Sequence, residues 1–204
     1  MSATQQRDRA GQLASSNSAL ALSTARAIHD SWFACQALAW VARFAPEQEF
    51  PKIVYESLHV VRAETDPYRA VAPSAWPLRA IVERDRLEIL PSIIPELLVR
   101  AEKIELLASR SEAVFLLFQA VFPAGCKHWF PVLESLRKAS TPLISWRQKR
   151  NLADAIMIVR GEDEQLAFEM YNAVEDHKLK KKLTKMWANS EQHLPRKFFW
   201  STDA

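Results

Sequence analysis

The chain has 204 residues, of which 49% are apolar and 25% are charged, so it can form a core and is not an intrinsically disordered protein. Only 3 residues are glycine, which argues against Rossmann domains, P-loop domains and tight-turned β-sandwiches, since all of these use glycine at fixed positions. The formal charge of +3 is small and does not suggest a dedicated DNA-binding protein.

The N-terminal residues, 1–22, are rich in Ser, Gln and Ala, and we expect a disordered leader there. No apolar run approaches the roughly 18 residues of a membrane span, so no membrane partner is expected. Cys35 and Cys126 have apolar neighbours and form no CxxC motif. We expect both to be buried free thiols, which is typical of a cytoplasmic protein.

Apolar residues recur at helical spacing in nearly every stretch after the leader. Ile28, Trp32, Cys35 and Ala39 form one stripe and predict a helix over 23–44. No segment shows the sustained alternation of a β-strand, so we expect no sheet. Eight further helices are predicted, and their apolar stripes cover 50–61, 78–85, 93–104, 114–122, 129–136, 152–159, 166–174 and 179–187.

Local signals refine the limits of these helices. Ser111 and Ser145 each precede an apolar stripe and are predicted N-caps. The cluster of Pro67, Pro73 and Pro77 predicts an irregular connection between the second and third helices.

Three dipeptides suggest an internal repeat: Phe50-Pro51, Ile94-Pro95 and Phe130-Pro131. They lie 44 and 36 residues apart, and we expect each pair to open the second helix of a helical hairpin. A fourth helix–break–helix unit spans 151–176 without the proline.

Two-helix units of this length resemble the repeats of HEAT and armadillo proteins, and the resemblance covers 23–189. It implies an all-α fold: a HEAT-like α-α superhelix of about four helical hairpins, closed by a C-terminal capping helix. The expected organisation is a leader over 1–22, a helical-repeat domain over 23–189 and a C-terminal tail over 190–204.

Residues with catalytic or metal-binding potential show no recognisable pattern. No Gly-x-Ser-x-Gly motif occurs, and no pair of histidines has the spacing of a metal site. We therefore expect no catalytic residues, no metal and no cofactor, and interpret the chain as non-enzymatic. The five scattered histidines are His29, His59, His128, His177 and His193.

The resemblance to HEAT proteins implies that the second helix of each hairpin lines a concave face that binds a protein or peptide partner. Over 50–63, 91–104, 127–138 and 162–176 these predicted helices carry seven basic and ten acidic residues, which argues against a cradle for duplex DNA. The predicted partner-binding residues are His59, Arg62, Trp76, Arg100, Lys103 and Arg137.

A second hypothesis is nucleic-acid binding by the lysine-rich last helix, because lysines hold phosphates and nearby aromatic rings can stack on unpaired bases. Phe198, Phe199 and Trp200 follow that helix and are expected to dock on the body of the protein or on a partner. The predicted nucleic-acid-binding residues are Lys178, Lys180, Lys181, Lys182 and Lys185.

Overall fold

A computed structural model of the protein describes residues 1–189 and Phe199. All regular elements in this part of the chain are helices and none is a strand, which confirms the predicted all-α class. The helices are α1 (Ala3–Ala14), α2 (Ser18–Arg26), α3 (Ser31–Phe44), α4 (Phe50–Arg62), α5 (Pro67–Val71), α6 (Ala75–Glu83), α7 (Leu90–Ala101), α8 (Leu107–Val121), α9 (Cys126–Ala139), α10 (Trp146–Arg160), α11 (Glu164–Asn172) and α12 (His177–Ala188).

The N-terminal segment is ordered, so the prediction of a disordered leader over 1–22 is wrong. Ser2 caps α1 in a reciprocal capping box with Gln5, and Asn17 caps α2. The buried residues of both helices are mainly alanines, including Ala10 and Ala21. Because alanine buries little apolar area, such a face is hard to recognise from hydrophobicity alone.

The single helix predicted over 23–44 is divided into two. Asp30 accepts a hydrogen bond from the backbone N–H of Phe33 at 3.2 Å and so begins α3. The break at 27–30 turns the chain between α2 and α3, which contact each other.

The three predicted proline dipeptides do not mark equivalent positions. Pro51 lies in the first turn of α4, as expected, but Pro95 and Pro131 lie inside α7 and α9. A proline inside a helix removes one backbone hydrogen bond, so packing against neighbouring helices must compensate for it. The proline cluster after α4 is also helical, because Pro67 begins α5 and a short 3₁₀ turn at Ala72–Ser74 leads into α6.

Successive helices pair along the chain. α1 packs on α2, α3 on α4, α8 on α9, and α10 on α11, while α5 contacts α7. We call α1, α3, α6, α8 and α10 the first helices, and each packs extensively on the next in this order. We call α2, α4, α7, α9 and α11 the second helices; in the described residues α7 packs on α9, and the other neighbouring pairs make at most scattered contacts.

Arginine side chains connect the C-terminal ends of neighbouring helices. Arg84 donates to the carbonyl oxygens of Arg43 and Ala45 at 3.0 and 2.9 Å. Arg100 donates to those of Arg62 and Glu64 at 2.7 and 2.9 Å. The last carbonyls of a helix have no partner within it, so these guanidinium groups satisfy acceptors that would otherwise need water.

Ser145 begins α10 in a capping box with Gln148, as predicted. Ser111, the other predicted N-cap, lies inside α8 and is buried. Its Oγ accepts a hydrogen bond from Asn151 Nδ2 at 3.2 Å and lies 3.4 Å from Ser140 Oγ. The residue is therefore part of a buried polar cluster that joins α8, α10 and the end of α9.

The two thiols differ in exposure, which corrects the prediction that both are buried. Cys35 is buried in α3, where its Sγ lies 3.4 Å from both Ser57 Oγ and the carbonyl oxygen of Pro73. Burial raises the pKa of the Cys35 thiol to about 12. Cys126, the first residue of α9, is exposed.

We expect a thiol reagent at pH 8 to modify one cysteine of the native protein. Thiolate is the reactive form, and Cys35 is both protonated at this pH and shielded from the reagent. Labelling with a chromogenic disulfide should therefore release one equivalent of chromophore per chain rapidly, and a second equivalent after denaturant is added. Cys126→Ser should abolish the rapid phase, and two rapid equivalents in the native protein would contradict the burial of Cys35.

Candidate functional site: the Trp76 platform

An aromatic side chain from the C-terminal part of the sequence packs on helix α6. Trp76 lies in the first turn of α6 and is half-buried. The ring of Phe199 meets that of Trp76 edge-on, with 5.3 Å between centroids and an interplanar angle of 69°. Arg79, one turn further along α6, places its guanidinium carbon 5.9 Å from the centroid of the same Phe199 ring. Trp76 and Arg79 thus hold the Phe199 ring by an aromatic and a cation–π contact.

The charge of this surface is partly balanced by one carboxylate. Glu83 accepts hydrogen bonds from Arg79 Nε at 2.8 Å and from Arg43 Nε, on α3, at 2.7 Å. Burial lowers the pKa of Arg43, and the charge of Glu83 opposes that shift. We call Trp76, Arg79, Glu83 and Arg43 the Trp76 platform. Its two guanidinium groups share this one acid.

Arg84 connects helices α6 and α3, which carry the Trp76 platform. Arg84, at the end of α6, donates to the backbone at the end of α3 and to Glu47 at 2.6 Å. Its guanidinium carbon lies 5.2 Å from the centroid of the Phe50 ring. These contacts fix α6 relative to α3, so Arg43 and Arg79 keep their positions on the shared carboxylate.

A sequence signal for this site is a tryptophan three residues before an arginine. The spacing occurs in Trp40-x-x-Arg43 of α3 and, 36 residues later, in Trp76-x-x-Arg79 of α6. Residues three apart share a helix face, so each pair presents an indole and a guanidinium together. Trp40 packs so closely on α1 that a Cβ atom at Gly11 would lie 2.7 Å from its ring. Of the platform residues, Trp76 is predicted from the sequence, whereas Arg43, Arg79 and Glu83 are not.

The other predicted partner-binding residues lie elsewhere. Arg62, on α4, pairs with Glu96 at 2.6 Å, and Arg137 pairs with Glu134 of its own helix, α9, at 2.7 Å. Arg100 uses its guanidinium group on the backbone at the end of α4. His59 and Lys103 are exposed. The structure thus brings Arg62 and Arg100 together, and the role of these residues in partner binding stays a prediction.

The lysine-rich helix is α12, where the predicted nucleic-acid-binding residues lie. Lys178, Lys181, Lys182 and Lys185 are exposed. Lys180 is half-buried, and its Nζ lies 5.4 Å from the centroid of the Tyr171 ring of α11. Of the aromatic tail, Phe198 and Trp200 lie outside the described residues.

The Trp76 platform can hold a side chain by aromatic and cation–π contacts, as it does with Phe199. It offers an aromatic edge, guanidinium groups and a paired carboxylate. Among residues 1–189 and Phe199, no three His, Cys, Asp or Glu side chains lie close enough together to hold a metal ion. None of the described helices combines the length and the apolarity needed to cross a bilayer.

Comparisons of the chain with protein-family models, with curated proteins and with solved structures find no match.

Proposed function

We propose that this chain is a non-enzymatic interaction module, built as a HEAT-like α-α superhelix, that binds a segment of a protein partner on its concave face. The packing of each first helix on the next supports the superhelix, because stacked hairpins bury their apolar faces on their neighbours. α1 and α2 would add a hairpin to the four expected from the sequence. α12, which packs on α10, would cap the array.

The first helices pack more closely on one another than the second helices do, and this supports a concave side formed by the first helices. In a curved array, helices on the inside of the arc lie closer together than those on the outside. The first helices pack extensively on one another, whereas neighbouring second helices in the described residues mostly do not. The Trp76 platform belongs to the first helices. This assignment differs from the expectation that the second helices line the binding face.

The observation that carries the proposal is the contact between Phe199 and the Trp76 platform. The platform already holds an aromatic side chain from an otherwise distant part of the sequence, so it can hold one from a partner in the same way. A half-buried tryptophan beside an arginine is typical of the residues that contribute most to protein–protein binding.

Charge favours a partner segment that contains acidic residues. The first helices carry nine Lys and Arg residues against four Asp and Glu residues. In the sequence, Phe199 is followed by Asp203. An aromatic residue with a carboxylate side chain shortly after it is therefore the partner sequence that we expect.

The proposal predicts competition between Phe199 and a peptide added in trans. The probe is a fluorescein-labelled peptide with the sequence of residues 196–204, and its binding to the full chain is followed by fluorescence anisotropy. Phe199→Ala should strengthen binding of the probe, because the platform is then free. Adding Trp76→Ala to Phe199→Ala should weaken it about tenfold or more.

Tyr55→Ala in the Phe199→Ala chain is the matched control, because Tyr55 is an exposed aromatic residue of a second helix. It should leave binding of the probe unchanged. If Tyr55→Ala weakens binding and Trp76→Ala does not, the second helices form the binding face. If neither change matters, the platform does not bind peptides.

A further inference from the structure

The exposed side of α12 combines lysines with access to aromatic rings. Leu179, Leu183 and Met186 form the buried stripe of this helix. Four lysines on the remaining surface are exposed, and no acidic residue occurs within the helix. A stripe of lysines is by itself the ordinary solvent face of a helix, so its neighbours decide whether it can bind a ligand.

Those neighbours form an apolar pocket of about 330 Å³, lined by residues of α11 and α12. We call it the α12 pocket; its lining residues are Phe168, Tyr171, Thr184, Trp187 and Ala188. The ring centroids of Phe168, Tyr171 and Trp187 lie 5.6–6.4 Å from one another. Phe168 and Tyr171 are inclined by only 17°, and Phe168 is 49% exposed. A flat ligand can therefore reach a ring face from solvent.

The polar contacts around the pocket hold its walls in place. Arg160 stacks on the Trp187 ring, with its guanidinium carbon 4.4 Å from the centroid, and donates to the carbonyl oxygen of Trp187 at 2.8 Å. Tyr171 Oη and Thr184 Oγ1 are hydrogen-bonded at 2.9 Å. Trp187 and Tyr171 are thus fixed before a ligand arrives, while Phe168 remains accessible.

The charges beside the α12 pocket are mainly positive. Lys180 lies over the Tyr171 ring, and Arg160 lies over Trp187. Glu164, one turn before Phe168, lies 3.5 Å from Arg160 and is balanced by it. Positive charge repels cationic guests such as methylated ammonium groups, which other aromatic pockets bind. The complementary ligand is flat and aromatic and carries negative charge on a flexible backbone.

Helical geometry separates the lysines into two groups. Lys180, Thr184 and Trp187 follow one another at i, i+4 and i+7, so Lys180 lies on the pocket side of α12. Lys181 precedes Ala188, another lining residue, by two turns. Lys182 points about 200° away from Lys180 around the helix axis. Lys180 and Lys181 therefore flank the pocket, and Lys182 does not.

We propose that the α12 pocket binds single-stranded nucleic acid, with an unpaired base against Phe168 and the adjoining phosphates held by Lys180 and Lys181. Every base has a face that can stack on an aromatic ring, and phosphates supply the negative charge that the lysines require. Bases in a duplex are already stacked and paired, so the pocket selects single strands. The site is independent of the Trp76 platform.

The test uses the full-length chain and a fluorescein-labelled 15-nucleotide oligo(dT), with binding followed by anisotropy between 50 and 200 mM salt. Binding should weaken as salt rises, and an unlabelled duplex of equal length should compete poorly. Phe168→Ala should weaken binding at least about fivefold, because one stacking contact is lost. Phe168→Trp, which keeps an aromatic ring at this position, should bind the oligonucleotide as well as the unchanged chain does. Lys180→Gln with Lys181→Gln should weaken binding and reduce the salt dependence.

Two lysine variants serve as controls for net charge. Lys52→Gln removes an exposed lysine from α4, and Lys182→Gln removes one from the far side of α12. Both should have a smaller effect than Lys181→Gln. No binding at 50 mM salt would overturn the proposal. Equal effects of all lysine variants with none from Phe168→Ala would overturn it too, since the protein would then attract any polyanion, including an acidic peptide.

Discussion

Trp129→Ala is expected to lower the free energy of unfolding by about 3–5 kcal/mol, the usual cost of removing a fully buried large aromatic residue. Trp129 is 1% exposed, and its ring meets those of Phe118, Phe122 and Phe130 at centroid distances of 6.2, 5.4 and 6.2 Å. Removing the indole leaves a cavity among three rings. Thermal or urea unfolding followed by circular dichroism measures the loss, with a fall in Tm of about 2–4 °C for each kcal/mol.

Trp129→Phe is the matched control, because it keeps an aromatic ring at the same position. Trp129 Nε1 is buried and has no hydrogen-bond partner in the part of the chain that the structure describes. Trp129→Phe therefore removes an unsatisfied donor and, at the same time, some side-chain volume. We expect a loss of about 1–2 kcal/mol, well below that of the alanine variant. Equal losses would show that the cavity is not the main cause.

Gln148→Leu is expected to lower the free energy of unfolding by about 2–4 kcal/mol, although it exchanges a polar for an apolar residue in the interior. Gln148 is 1% exposed, and its Nε2 donates to the carbonyl oxygens of Ala139 and Pro142 at 3.0 Å each. Its Oε1 accepts from the backbone N–H of Ser145 at 2.9 Å. Leucine fills the space but leaves three backbone groups without this partner, and buried unpaired groups are costly. Urea unfolding of the purified variant measures the change.

Gln165→Leu is a suitable control for the same exchange on the surface. Gln165 is exposed, and its Nε2 donates a hydrogen bond to Glu169 of its own helix. We expect a change within about 0.5 kcal/mol. If Gln148→Leu were as mild as this control, the loop between α9 and α10 would not depend on the glutamine.

The sequence predicts helices best where a wide apolar stripe and a cap coincide. Ser145 and the stripe after it predict α10 correctly, and Leu179 and Leu183 identify the buried side of α12. The prediction fails at α1, where small alanines form the buried face, and at Ser111, where a serine is buried in a polar cluster instead of capping a helix. In both cases tertiary contacts outweigh the local signal, and a single sequence does not contain them.

The candidate site is only partly predictable for the same reason. Trp76 can be singled out from its place at the start of a helix, but its contact with Phe199 joins residues more than a hundred positions apart. The sequence around Arg100 suggests a solvent-exposed charge, yet its guanidinium group donates to backbone carbonyl oxygens at the end of α4. A charged residue can thus be a structural link or a binding group, and spacing alone does not distinguish the two.

The arginines that span neighbouring helix ends have a consequence for how the protein comes apart. The last turn of α3 cannot fray without releasing Arg84, and that of α4 cannot fray without releasing Arg100. Local melting at one helix terminus therefore removes support from the adjacent one. Such links make partial opening costly and favour loss of structure in one concerted transition over gradual peeling from either end.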